Sequence, residues 1–173
     1  MSYRSPVPLG PRHELDGFTC ASAEQSAWLT DHARQSMAMN STRVLVVTPV
    51  GSEEVVAYYA WTMAQLALVD APVRLRAGAG RYPQPVALLA RLAVHRAHES
   101  RGLGAALLRD VVARTMAISD RIGCRGLLVH CESDSARSFS RHHVPEFEPS
   151  PTDDLHLVLL LKDIRRTLRE TAS

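Results

Sequence analysis

The sequence is poor in most of the features that assign a protein to a class at first sight. Its 20 basic and 18 acidic residues leave a formal charge of only +2, too little to argue nucleic-acid binding from net charge, although clustered arginine still builds a local basic patch. Cysteine is scarce and odd in number. Cys20, Cys124 and Cys131 form no C-x-x-C pair, which disfavours a disulfide framework or a zinc site and fits buried thiols in a reducing cytoplasm. No apolar run reaches the length of a membrane span, and the lead at 1–12, with Pro6, Pro8 and Pro11, lacks the apolar stretch of a secretory signal. A cytoplasmic protein with no membrane partner and no metal is expected. Neither an internal repeat nor a composition break marks a second domain. A chain of 173 residues, 46% hydrophobic and 22% charged, reads as one folded domain over 1–173 with an irregular lead at 1–12.

Periodicity supplies the elements. Residues 24–39 carry Ala27, Trp28, Ala33 and Met37 at roughly helical spacing, with Ser22 as N-cap. The β-branched run 43–50 and the apolar run 55–66 flank Gly51-Ser52 and predict a hairpin. Prolines, glycines and arginines crowd 69–85, which reads as irregular, exposed and a candidate substrate loop. Residues 86–94 (VALLARLAV) suit a buried strand. A helix from near Gly102 follows, with Leu103, Leu107, Val111 and Thr115 on one stripe, closed by Gly123. Residues 126–130 form another strand, 134–141 a short helix and 155–161 the last strand. With the short apolar piece around Phe18 and Cys20 as its first member, the order β-α-β-β-β-α-β-α-β implies an α/β fold whose sheet is covered by helices.

The chemistry-bearing segment is Glu99-Ser100-Arg101-Gly102-Leu103-Gly104-Ala105, between the strand ending at Val94 and the helix carrying Leu107. Glycines at a helix mouth let the backbone approach a diphosphate, and the unpaired first-turn N–H groups favour an anion. Arg101 adds a charge-assisted contact. Taken alone, G-x-G before a helix fits a tight turn or close helix packing equally well. The usual nucleotide motifs do not apply: Ala105-Ala106 replace the Lys-Ser/Thr of a P-loop, and Leu107 falls where a dinucleotide fingerprint needs its third glycine.

Leu92-Ala93-Val94 followed by Glu99-Ser100-Arg101-Gly102-Leu103-Gly104 resembles the strand and pyrophosphate loop of GNAT acetyltransferases. That loop reads Gln/Arg-x-x-Gly-x-Gly/Ala; Glu99 departs from the first residue, and the two glycines match. A narrower likeness runs through Phe18-x-Cys20 with Trp28-Leu29, Val56-Ala57-Tyr58-Tyr59, residues 85–94, Leu127-Leu128-Val129-His130 and Phe147-Glu148-Pro149-Ser150. These resemble the GNAT toxins of toxin–antitoxin pairs, which acetylate aminoacyl-tRNA. The resemblance implies a GNAT fold with a central mixed twisted sheet flanked by helices. It implies acetyl-CoA held by backbone amides of Leu92, Ala93 and Val94 and by Ser100, Arg101, Gly102, Leu103, Gly104 and Ala105. It further implies a tRNA acceptor end held by arginines and a ribbon-helix-helix antitoxin; a second copy of the chain is a separate candidate partner.

One position departs from the toxins. Where they place a Phe-Tyr pair whose tyrosine acts as general acid, this chain has Phe139-Ser140, and Arg141-His142-His143-Val144-Pro145-Glu146 then precede Phe147. A serine hydroxyl is a far poorer proton donor than a phenol of pKa about 10, and loss of a positioned acid costs roughly 10²- to 10⁴-fold in rate. His142 and His143 are candidate substitutes, against a reading as solvated loop residues. His95, His98 and His130 have structural readings, as does Cys131. Arg74, Arg76, Arg81, Arg91 and Arg96 form a candidate phosphate-binding rim, against solvated surface arginines. Three functions stand: an N-acetyltransferase acting on aminoacyl-tRNA, one acting on small amines, or a catalytically silent domain that binds acetyl-CoA or a partner.

Overall fold

The computed structural model describes residues 1–172, in the order β1 (Val7–Pro8), α1 (Ala23–Asp31), α2 (Ala33–Ala38), β2 (Arg43–Val47), β3 (Ala57–Leu66), α3 (Val73–Arg76), β4 (Gln84–Val94), α4 (Leu103–Ser119), β5 (Gly126–His130), α5 (Asp134–His143), β6 (Glu148–Ser150), β7 (Asp153–Leu160) and α6 (Leu161–Ala172). The strands form one mixed sheet in the order β1-β2-β3-β4-β5-β7-β6, flanked by helices. β4 and β5 run parallel, and the flanking pairs β2–β3 and β5–β7 are antiparallel. The parallel register covers Ala87↔Leu127 to Leu89↔Val129, while β4 itself continues to Val94.

The chain divides into two compact units, Met1–Thr62 with Ala90–Leu107, and Met63–Leu89 with the residues from Leu108 onward. In the first, Phe18, Leu29, Val44, Val46, Tyr58 and Ala93 are buried together, with Trp28 stacked on Tyr58 at 6.1 Å. The Tyr58 hydroxyl, buried with its ring, donates to the Gln25 carbonyl at 2.7 Å, so the phenol enters the core without an unmet polar group. The second unit packs Leu66, Ala71, Leu75, Val86, Leu128, Val158 and Leu160. Strands buried on both faces read as continuous apolar runs rather than alternations, as Val55 to Ala60 do.

The strands at 43–47, 57–66, 84–94 and 126–130 and the helix behind Gly102 stand where periodicity puts them. Ser22 caps α1 by accepting from the Gln25 N–H. Other expectations are corrected. The lead at 1–12 is not irregular throughout: Val7–Pro8 pair with Val46 and Leu45, because β2 offers an open edge. The helix at 24–39 breaks at His32, whose φ of −127° and ψ of −23° leave the helical region, giving α1 and α2. Residues 69–85 are neither wholly irregular nor wholly exposed. Pro72, with φ fixed near its helical value, precedes α3, and Ala71 and Leu75 are fully buried four residues apart. α4 stops at Ser119, short of Gly123, and α5 runs on to His143, so His142 and His143 are helical rather than loop residues. The last strand begins at Asp153, and β6 and α6 are additional.

Gly126 is where the sheet tolerates no side chain. A Cβ there would lie 2.3 Å from the Leu159 carbonyl oxygen of β7, a backbone atom that cannot swing aside. Gly126→Ala is expected to lower unfolding stability by about 1–3 kcal/mol, the usual cost of overpacking. A urea titration checks this as a lower midpoint with an unchanged slope.

Candidate active site

β4 leads into a short 3₁₀ turn at Arg96–His98 and then into the mouth of α4. The turn is fixed from behind. The His95 N–H donates to the Val56 carbonyl at 2.8 Å, the Arg96 N–H to the Thr19 carbonyl at 2.8 Å, and Arg96 Nε to the Cys20 carbonyl at 3.1 Å. His95 Nδ1 accepts from the Ala97 N–H while its Nε2 faces the Gly17 carbonyl at 3.2 Å, which assigns the proton to Nε2.

Beyond the turn, Ser100 has φ +61° and Gly102 φ +82°. Turns that alternate left-handed residues with others are the kind of backbone in which successive N–H groups form a concavity suited to anions, and Arg101 stands between two such residues. Gly102 starts the helix, its carbonyl accepting from the Ala106 N–H at 3.0 Å. The N–H groups of Leu103, Gly104 and Ala105 therefore have no i−4 carbonyl to meet, and the helix dipole adds to their pull on negative charge. A Cβ built on Gly102 would meet no heavy atom within 4 Å, so the space in front of this backbone is open. Open space, a positive-φ glycine and three unpaired donors fit the diphosphate of acetyl-CoA. Ala93 is buried and Leu92 and Val94 half-buried, so the end of β4 that leads to the loop is anchored in the core.

The loop has two supports, Tyr3 and His98, to which sequence pattern gives no role at the site. The Tyr3 hydroxyl lies 2.8 Å from His98 Nδ1, and Arg101 donates to the same hydroxyl at 3.4 Å. Burial first, then the charges of Arg101 and His95, push the His98 pKa below the ordinary histidine value. His98 is thereby favoured as a neutral ring. No local pattern marks Tyr3, because its partner lies 95 positions along the chain.

Ser140 and the two histidines occupy different environments on α5. Ser140 is buried and its hydroxyl donates back to the Ala136 carbonyl at 3.0 Å. His142 and His143 are exposed, with ring centroids 5.0 Å apart and His143 packed on Phe139 at 4.6 Å. Cys131 is buried, and that burial pushes its thiol pKa up, against the smaller opposing effects of Ser140 and Arg137. A protonated, buried thiol is a poor nucleophile. His130 stacks on His156 at 3.9 Å, and burial lowers its pKa.

The arginines expected as a rim do not share one environment. Arg91 grips both oxygens of Glu24 at 2.6 and 2.7 Å and lies 4.7 Å over the Trp28 ring. Arg74 binds the buried Asp163 carboxylate in bidentate fashion, at 3.0 Å twice, and also pairs with Glu148. Arg96 braces the turn, while Arg76 and Arg81 are exposed. The second unit also holds a cavity of about 350 Å³ lined in part by Arg74, Arg125, Lys162 and Arg165. Sequence reasoning missed Arg125, Lys162 and Arg165; the spacing of 162 and 165 on one helix face was the available signal.

The sequence profile of the acetyltransferase (GNAT) family matches residues 19–143. A tRNA-acetylating toxin of Mycobacterium tuberculosis is 39% identical over 163 residues, 94% of this chain and 95% of that protein. A probable toxin TacT of Sinorhizobium fredii is 26% identical over 165 residues, 91% of each. Among solved structures, AtaT complexed with acetyl-methionyl-tRNAfMet superposes with a TM-score of 0.86 at 20% identity, covering 96% of this chain and 99% of that one. A mutant AtaT bound to the C-terminus of the antitoxin AtaR and acetyl-CoA gives 0.80 at 19% identity, covering 98% and 99%. These two likenesses speak for the fold.

Gly102→Glu is expected to abolish acetyl-CoA binding, because it fills the open space with a carboxylate where the diphosphate belongs. Gly102→Ala should bind more weakly than the parent, its methyl group unobstructed but its backbone strained at positive φ. Calorimetric titration of both variants checks the order parent, alanine, glutamate; binding by the glutamate variant at the parent's affinity contradicts the assignment.

Proposed function

Because the chain belongs to the GNAT family of acetyltransferases, we propose that it transfers the acetyl group of acetyl-CoA to the free amino group of an aminoacyl-tRNA and so blocks translation. The observation that carries this substrate is the 39% identity, over nearly the full length of both chains, to the mycobacterial tRNA-acetylating toxin. Acetyl-CoA supplies the acetyl group as an activated thioester. The chain's own residues bind, orient and move protons. Backbone amides of Ser100, Arg101, Gly102, Leu103, Gly104 and Ala105 hold the diphosphate. Those of Leu92, Ala93 and Val94, on the part of β4 that runs past its register with β5, orient the thioester and polarise its carbonyl. The amine attacks directly once water has taken its proton, since Cys131 stays protonated.

The departing sulfur needs a proton. Ser140 is unsuited, because its hydroxyl is buried and already donates to Ala136. We assign this role to His142 or His143, whose rings reach solvent on the last turn of α5. The RNA phosphates fall to exposed cations: Arg76 and Arg81, and the lining of the basic cavity through Lys162 and Arg165. Arg74 and Arg91 serve chiefly as structural ties to Asp163 and Glu24. A ribbon-helix-helix antitoxin and a second copy of the chain are the proposed partners, with AtaT's complex with AtaR in support of the first. The substrate sets the compartment as the cytoplasm. Among the described residues no helix is long and apolar enough to cross a membrane.

Ser140 also favours a second reading, a domain that binds acetyl-CoA without turning it over. Purified chain incubated with labelled acetyl-CoA and charged tRNA separates the two. Label on the aminoacyl group, reduced about 10²-fold or more by alanine at His142 or His143, is expected. Label transferred only to simple amines would overturn the RNA substrate, and binding without any transfer would leave the silent domain.

Lys162→Glu combined with Arg165→Glu is expected to raise the KM for aminoacyl-tRNA while leaving the KM for acetyl-CoA unchanged. The plot of log affinity against log salt should flatten by roughly 0.7–0.9 for each phosphate that is no longer neutralised. Filter binding of uncharged tRNA over a salt series checks it independently of catalysis.

A further inference from the structure

Tyr3 belongs to a strap that closes on the loop from the far end of the chain. The Val50 N–H donates to the Ser2 carbonyl and the Arg4 N–H to the Thr48 carbonyl, each at 2.9 Å, and Tyr3 bridges Pro49 antiparallel. These bonds extend the pairing of Val7 with Val46 back to the first residues, so the Tyr3 backbone is held on the sheet edge. Its ring meets His98 edge-on, with centroids 5.7 Å apart. From there one hydroxyl serves two partners: it hydrogen-bonds His98 Nδ1 at 2.8 Å and accepts from Arg101 at 3.4 Å.

The partners are placed where restraint matters. His98 ends the turn that precedes the loop, and Arg101 stands between the two left-handed residues Ser100 and Gly102. Glycine takes positive φ at little cost, whereas a serine held there is strained and stays only where its surroundings over-determine it. Ser100 is exposed, so burial of its own side chain does not hold it. The restraint must come through its neighbours.

We propose that Tyr3 is a positioning residue for the cofactor loop: it ties Arg101 and the His98 turn to the sheet edge, so that the loop keeps its anion-accepting shape before acetyl-CoA arrives. The diphosphate then meets donors already in place, and affinity is not spent on ordering them. This inference rests on the reading of the loop as the acetyl-CoA site.

Tyr3→Phe removes the hydroxyl and keeps the ring. The expected result is an acetyl-CoA Kd and KM raised about 3- to 10-fold, in the range of one lost hydrogen bond, with kcat at saturation and the melting temperature unchanged. A purely structural role would instead lower the melting temperature without dividing KM from kcat. Arg101→Met provides the second arm. If Tyr3 acts through Arg101, the double variant should bind no more weakly than Arg101→Met alone, the two losses failing to add. Unchanged affinity in Tyr3→Phe, or fully additive losses, overturns the proposal. If Gly102→Glu still binds as the parent does, the cofactor reading fails and takes this proposal with it; loss of binding in Gly102→Glu with no effect of Tyr3→Phe sinks the Tyr3 proposal alone.

Discussion

The reversal between β4 and α4 is the constraint on which the site depends. Residues 95–102 must turn the chain out of the sheet and into a helix, and they do so by holding Ser100 and Gly102 at positive φ. The turn thereby leaves the first N–H groups of α4 pointing outward without acceptors. A protein normally avoids such unmet donors or covers them with a capping side chain. Here Gly102, which has no side chain to offer as a cap, opens the helix, and the space before it is clear. On the proposed reading an anionic ligand completes the hydrogen bonding that the fold withholds, so that the chemistry rests on backbone more than on side chains.

Side chains act by fixing that backbone. The turn is bound to Val56, Thr19 and Cys20 behind it and to Tyr3 beside it. Several arginines are likewise committed to architecture. Arg91 joins Glu24 and the Trp28 face on one unit, and Arg74 neutralises an Asp163 carboxylate that has almost no access to water. A buried carboxylate without its cation is costly, so Arg74 answers to the core before it answers to any ligand. The cations at the mouth of the basic cavity, Lys162 and Arg165, lie outside those ties and are exposed to solvent.

What the amino-acid order reveals follows from how local each cause is. β2, β3, β4 and β5 are legible because burial on both faces writes a continuous apolar run, and α4 because Leu103, Leu107, Val111 and Thr115 are all buried at a spacing of four. The glycine pair and the strand before it are legible for the same reason. β1 and β6 span only two and three residues, and a strand so short exists through its partner rather than its own pattern. α6 is legible in principle: Leu161, Ile164 and Leu168 make an apolar stripe on a helix that is otherwise highly charged. The partners of Arg74, Arg91 and Tyr3 lie 89, 67 and 95 positions away. No local signal could have separated those residues from solvated ones.

The central claim is that acetyl-CoA sits on the backbone amides at the mouth of α4. Hydrogen–deuterium exchange of the full chain, with and without acetyl-CoA, measures those amides directly. The account predicts that the cofactor slows exchange most in peptides covering residues 92–94 and 100–105, with the largest effect where the first-turn N–H groups of α4 acquire acceptors. Exchange left unchanged there while protection gathers at other segments would contradict it.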